Sequence, residues 1–183
     1  MFFLLFCSTT LAYSNTSNTE ESETSKTTSE LNKEYINSPE NFIHINANCN
    51  VCMISRPTNA GCVIPKDGKI LLVRDNHTKK LGLPGGKKNK NEPATMVAQR
   101  HTLEETGLIV YIDDFVSEFR NGFRLYKCKI IKDTNKFNEK KTLEIKYVNK
   151  TELKELLKKD NRKNVRFPHE LDLIYSKFEW IVK

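Results

Sequence analysis

The chain has 183 residues, 38% hydrophobic and 29% charged, with a net charge of +7. That composition excludes collagen, a helical membrane bundle and a wholly disordered chain, and the length fits one domain with an added segment. Glu20, Glu21, Glu23 and Glu30 against Lys26 leave residues 1–30 at −3, so residues 31–183 carry +10. A body that basic favours anionic partners: nucleotides, nucleic acid or a membrane surface.

Residues 1–14 (MFFLLFCSTTLAYS) read as a signal peptide. Phe2–Cys7 is apolar, and the small residues Thr10, Ala12 and Ser14 suit cleavage after Ala12 or Ser14. No Lys or Arg precedes the run, and it is shorter than the roughly 20 residues of a membrane span. The expectation is a secreted or periplasmic protein without a stable membrane span, or a cytoplasmic one if residues 1–14 are not a signal. Residues 15–57 form a polar, irregular lead-in; the stretch 14–30 contains no aliphatic or aromatic side chain. Loss of Cys7 with the signal leaves Cys49, Cys52, Cys62 and Cys128, an even number that favours pairing in an oxidising compartment. Cys49, Cys52 and Cys62 could instead hold zinc, although no fourth ligand stands nearby. Buried free thiols remain open for Cys62 and Cys128, which lie in apolar runs.

From residue 58 the pattern is that of a folded domain extending to 183. Ala60–Pro65 and Lys69–Arg74 read as strands joined by Lys66-Asp67-Gly68, a hairpin signal. Leu81–Pro84 leads to a break at Gly85-Gly86. Residues 93–106 suit a helix, with Pro93 at its first position and Gly107 just past its end. Ile109–Ile112 and Phe123–Ile131 read as strands, with a turn at Asn121-Gly122, and Leu143–Val148 is a further strand. Thr151–Leu157 reads as a short helix capped by Thr151, and Pro168–Ile181 as the last helix. Strands around one central helix, with helices at the end, imply an α/β (α+β) domain built on a mixed sheet.

The stretch Gly85–Leu108 carries the chemistry. His101, Glu104 and Glu105 stand at i, i+3 and i+4 and share one helix face. Carboxylates gathered on one face repel each other unless a cation lies between them, and oxygen donors suit Mg²⁺ or Mn²⁺. Gly85-Gly86 lets backbone approach a ligand, and Lys87, Lys88 and Lys90 add positive charge beside it. Together these form a cradle for pyrophosphate; a solvated helix face is the bland alternative. A P-loop is excluded, because only three residues separate Gly82 from Gly86 where the motif needs four.

The stretch resembles the Nudix box, G-x5-E-x7-R-E-U-x-E-E-x-G-U with U aliphatic. Gly86, Glu92, Arg100, Glu104, Glu105, Gly107 and Leu108 fall in register, seven of nine defined positions over 23 residues. The resemblance implies a Nudix-type α/β/α sandwich with a central mixed sheet. It also implies hydrolysis of a nucleoside diphosphate linked to another moiety, with Mg²⁺ or Mn²⁺ as cofactor. Carried over by position, Glu104 and Glu105 are catalytic metal ligands, Gly86 offers its carbonyl as a further ligand, and Arg100 pairs with Glu92 to orient the carboxylates. Lys87 and Lys88 would bind substrate. Two positions depart: His101 replaces a glutamate and Thr102 an aliphatic residue. His101 can ligate Mn²⁺ or Zn²⁺, or act as a general base. A catalytically impaired domain that binds a nucleotide or an anionic polymer is the alternative.

For an acidic residue from outside the box, Glu144 is favoured as a further metal ligand, ahead of Glu139, Glu118 and Asp114. Lys140–Arg166 holds ten Lys or Arg against four acids. Its single aromatic residue, Tyr147, is not the interleaved platform that base stacking requires, so it reads as a solvated surface and a nucleic-acid partner is not favoured over a small nucleotide-type substrate. His169 reads as a surface or capping histidine. Asn15, Asn76 and Asn149 begin glycosylation sequons.

Overall fold

Asp67 and Gly68 both take positive φ, 49° and 69°, the conformation a two-residue hairpin turn demands. They reverse β2 (Pro65–Lys66) into β3 (Lys69–Asp75), with Lys66 opposite Lys69. The computed structural model describes residues 56–183. The expected signal peptide, most of the lead-in, Asn15 and any pairing or zinc site at Cys49 and Cys52 lie outside the described residues.

Two sheets form. The first has the order β5 (Gly85–Gly86), β1 (Ala60–Val63), β7 (Arg124–Asp133), β6 (Leu108–Glu118). It is mixed, because β1 and β7 run parallel while the other pairs are antiparallel. In the second, β3 pairs antiparallel with β2, β4 (Leu81–Gly82) and β8 (Thr142–Val148). Alternation along the strands splits the core. Ala60, Cys62, Leu71, Val73, Tyr126 and Cys128 pack with Ala94, Val97 and Ala98 of α1 (Ala94–Thr106). Val63, Ile70, Leu72 and Leu125 face the other way. They meet α2 (Lys150–Leu157), α3 (Pro168–Ser176) and α4 (Phe178–Val182) through Leu153, Leu171, Ile174, Phe178 and Ile181. Side chains of period two thus fill two layers, and helices cover both, giving the α/β/α arrangement.

Several expectations need correction. The break at Gly85-Gly86 is a short strand, held by pairing of Gly61 with Gly85 and Ala60 with Gly86. Pro93 stands at the N-cap, one residue before the first helical position. β6 runs well past Ile112, because three register shifts absorb the polar residues that interrupt its apolar pattern. Asn149, not Thr151, caps α2: its side chain accepts the Glu152 N–H at 2.9 Å while Glu152 accepts the Asn149 N–H at 2.8 Å. The last helix is two helices meeting at Lys177. The Leu173 carbonyl accepts both Ser176 Oγ at 2.7 Å and the Lys177 N–H at 3.1 Å, and the backbone of Lys177 then departs from the helix at φ −102° and ψ 9°.

Cys62 and Cys128 form a disulfide, which joins β1 to β7 beneath α1. Glu170, in the first turn of α3, is 3% exposed. Burial pushes its carboxyl up to about 7, against the pull of Arg166. Between the ordinary carboxylate value and that point the folded chain keeps a proton that the unfolded chain has lost. Its contribution therefore turns unfavourable as pH rises through this window. Glu170→Gln is expected to stabilise the protein at pH 8 by on the order of 2 kcal/mol and to leave it unchanged near pH 4. Thermal melts of both proteins at both pH values check this; equal shifts at the two pH values would contradict it.

Candidate active site

Pro93 opens α1 and Gly107 closes it. Gly107 takes φ 73° and returns its N–H to the Leu103 carbonyl at 2.8 Å. The loop between β7 and β8 folds back over this end: Thr134 bonds the Gly107 carbonyl and the Asn138 N–H bonds the Glu104 carbonyl at 2.8 Å. The other side of the helix lies against β5. Arg100, His101, Glu104 and Glu105 therefore sit between two backbone walls, and Glu105 is buried at 7% exposure.

Arg100 organises the site. Its Nε and Nη2 reach the two Glu92 oxygens at 2.7 and 2.8 Å, Nη2 also reaches the Lys87 carbonyl at 3.1 Å, and Nη1 reaches Glu104 Oε1 at 3.3 Å. A bidentate guanidinium of this kind fixes orientation as well as charge. Its bond to Glu92 raises the Arg100 pKa despite desolvation. Burial alone would raise the Glu92 carboxyl; bonds from Arg100 and the Asn89 N–H outweigh it and hold the group ionised. For Glu104 burial also raises the pKa. Lys141, Arg100 and His101 together reverse the balance, so the carboxyl is lowered overall.

Lys141 Nζ bonds Glu104 Oε2 directly. The Gly85 N–H donates to Glu105 Oε2 at 3.1 Å, which turns Oε1 toward His101. His101 Nδ1 lies 3.9 Å from Glu104 Oε2 and 3.8 Å from Glu105 Oε1. The ring rests on Gly86: a Cβ there would come within 2.3 Å of His101 Cε1. Gly86→Ala is expected to expel the ring and lower kcat/KM at least about tenfold, since a small displacement of a positioned group has effects of this order or larger. Steady-state kinetics on folded variant protein decide it; unchanged kcat/KM would show that the ring position is irrelevant.

The fold brings the box residues Gly86, Glu92, Arg100, His101, Glu104 and Glu105 together. Lys87 and Lys88 are exposed beside the turn, Lys87 contributing its carbonyl and Lys88 bonding Asn59 through its N–H. Glu144 lies elsewhere in the bonding pattern: its carboxylate takes Arg74 Nε at 2.7 Å across β3 and β8. Glu118 pairs with Arg56 and Arg124, and Asp114 and Glu139 are exposed. His169 is exposed, with its ring edge-on to Phe119 at 5.3 Å. Thr102 is fully buried, and its hydroxyl lacks a partner. Lys141 was not legible as a site residue, because it belongs to a basic stretch without motif spacing. Gly85 acts through its N–H, which no side-chain pattern signals.

Among the described residues no group of three or more His, Cys, Asp or Glu is gathered into a finished cation site. The donor set nevertheless fits a divalent cation. Two carboxylate oxygens and an orphaned buried nitrogen face one another, with Lys141 as the resident counter-charge on Glu104. Glu104, Glu105 and His101 would hold the ion. No helix among the described residues is long and apolar enough to cross a membrane.

A two-sided sandwich with an acidic helix clamped by Arg100 to the turn after a glycine strand defines a class of α/β/α domain. Comparison with known proteins agrees. The chain matches the NUDIX domain over residues 55–170, more than half its length, and it belongs to that family. A MutT-like protein of Streptomyces ambofaciens is 36% identical over 76 residues, covering 38% of this chain and 49% of the relative. The chain thus spans about half the length of that curated relative. A NUDIX hydrolase from Nitrosomonas europaea shares the fold at a TM-score of 0.56 and 19% identity, over 68% of this chain and 90% of its own. A UDP-X diphosphatase shares it at 0.52 and 17% identity, over 68% of this chain and 63% of its own.

Proposed function

We propose that residues 58–183 form a domain that hydrolyses the pyrophosphate bond of a nucleoside diphosphate linked to another moiety. The supporting observation is the convergence of Glu104, Glu105 and His101 over the Gly86 backbone, with Arg100 holding the helix to the turn. Mg²⁺ or Mn²⁺ bound there would polarise the pyrophosphate and lower the pKa of attacking water. Arg100 keeps Glu104 ionised and oriented, and the Gly85 N–H fixes Glu105. Lys87 and Lys88 stand exposed at the turn to neutralise phosphate oxygens. Water adds to one phosphorus, the bridging oxygen leaves with the other, and two phosphomonoesters result.

We further propose that the protein works outside the cytosol. The apolar start at residues 1–14 and the Cys62–Cys128 disulfide support that reading.

The test is hydrolysis of a panel of nucleoside diphosphate derivatives by the purified chain, with Mg²⁺ and Mn²⁺ in separate runs. A phosphatase added afterwards releases inorganic phosphate from the phosphomonoester products. Metal-dependent turnover is expected. Its absence from folded protein, across the panel and with both metals, would favour a domain that binds a nucleotide or anionic polymer without turnover.

A further inference from the structure

His101 stands where the box has a glutamate, and the hydrogen bonds around its ring decide what each nitrogen can do. Nε2 lies 3.0 Å from the Lys87 carbonyl oxygen. A carbonyl only accepts, so Nε2 carries the proton and in the neutral imidazole Nδ1 carries the lone pair. Nδ1 is buried and has no hydrogen-bond partner. Its neighbours are Glu105 Oε1 at 3.8 Å and Glu104 Oε2 at 3.9 Å, too long for hydrogen bonds. The other oxygen of each carboxylate is already engaged, by the Gly85 N–H and by Arg100, and Glu104 Oε2 also takes Lys141 Nζ, a cation that a bound metal would displace.

We infer that His101 Nδ1 is a metal ligand, which makes the site a nitrogen-and-two-carboxylate centre for Mn²⁺ or a later first-row divalent ion in preference to Mg²⁺. This rests on the hydrolase reading of the same site and deepens it. Metal-binding histidines typically donate their second ring N–H to a carbonyl or carboxylate, which locks the tautomer and aims the lone pair. Here Lys87 supplies that carbonyl, and Gly86 supplies the space by lacking a Cβ. The separations of 3.8 and 3.9 Å from Nδ1 to the two carboxylate oxygens are short enough for one ion to be held by all three atoms. Imidazole is a good donor to the transition series and a poor one to Mg²⁺. A general-base role fits less well, because Nδ1 faces the carboxylates and is closed to solvent, which gives a proton no path outward.

The experiment is Mn²⁺ binding to the whole chain, followed by calorimetry and by pulsed electron paramagnetic resonance. Wild type is expected to show ¹⁴N modulation from one bound imidazole and to bind Mn²⁺ at least about tenfold more tightly than Mg²⁺. In His101→Glu the modulation disappears while Mn²⁺ still binds, and the Mn²⁺ to Mg²⁺ ratio narrows. His101→Gln, checked for its fold by near-ultraviolet circular dichroism, loses the modulation as well, whereas His169→Gln keeps it. Mn²⁺ bound to wild type without ¹⁴N modulation, or modulation that survives in His101→Glu, would overturn the ligand assignment and leave the hydrolase reading standing. No divalent binding by either wild type or His101→Glu would overturn both.

Discussion

Glu105→Gln is expected to lower kcat/KM by about a thousandfold with either metal, while the melting temperature moves little. The substitution is nearly isosteric. The side-chain carbonyl of glutamine can still accept the Gly85 N–H that Glu105 Oε2 accepts at 3.1 Å, so the packing of a residue only 7% exposed is kept. What is lost is the negative charge facing His101 at 3.8 Å. Lewis-acid stabilisation by a bound metal is worth several kcal/mol, and about 4 kcal/mol corresponds to three orders of magnitude in rate. Steady-state kinetics on wild type and variant, beside a thermal melt of each, separate loss of chemistry from loss of fold. An undiminished rate in folded variant protein would remove Glu105 from the mechanism.

The second large effect concerns stability. Opening the Cys62–Cys128 disulfide is expected to cost about 4 kcal/mol. The bond closes a long loop, with 66 residues of sequence separation, and cross-links of that length restrict the unfolded chain by roughly this amount. Both cysteines are fully buried and pack with Tyr126, Val97 and Ala98. The reduced thiols keep most of those contacts, so the loss falls mainly on the unfolded state. Denaturant titrations of oxidised protein and of protein unfolded and refolded under reductant measure it, with a Cys62→Ala/Cys128→Ala variant as a reductant-insensitive control. Coincident midpoints for oxidised and reduced protein would refute the expected contribution.

Much of the site was legible because its residues are close in sequence and spaced by helical geometry. His101, Glu104 and Glu105 share one face of α1 by spacing, and the resemblance to the Nudix box added Arg100 and Gly86 to them. The Asp67-Gly68 hairpin was equally local, since the turn type is written in its two residues. Interactions chosen by competition were harder. Asn149 and Thr151 are both fair caps; Asn149 prevails through the reciprocal bond with Glu152. The break in the last helix falls at Lys177, whose backbone leaves the helical region at φ −102° and ψ 9°, a departure that periodicity does not contain. Glu144 is favoured from sequence as a further metal ligand, and the register of β8 on β3 sets it opposite Arg74, whose Nε it accepts.

The amino-acid sequence by itself determined the α/β class, the central helix with its glycine stop and the set of side chains able to carry chemistry. Local spacing and local backbone preference decide all of these. Only the tertiary structure decided which nitrogen of His101 is free, which oxygen of each glutamate is engaged and that Lys141 rests on Glu104. It likewise selected Cys128 as the partner of Cys62. The physical reason is common to these cases. Each depends on atoms brought together by strand pairing or by the loop that folds back over α1, and such long-range contacts carry no signal in a window of neighbouring residues.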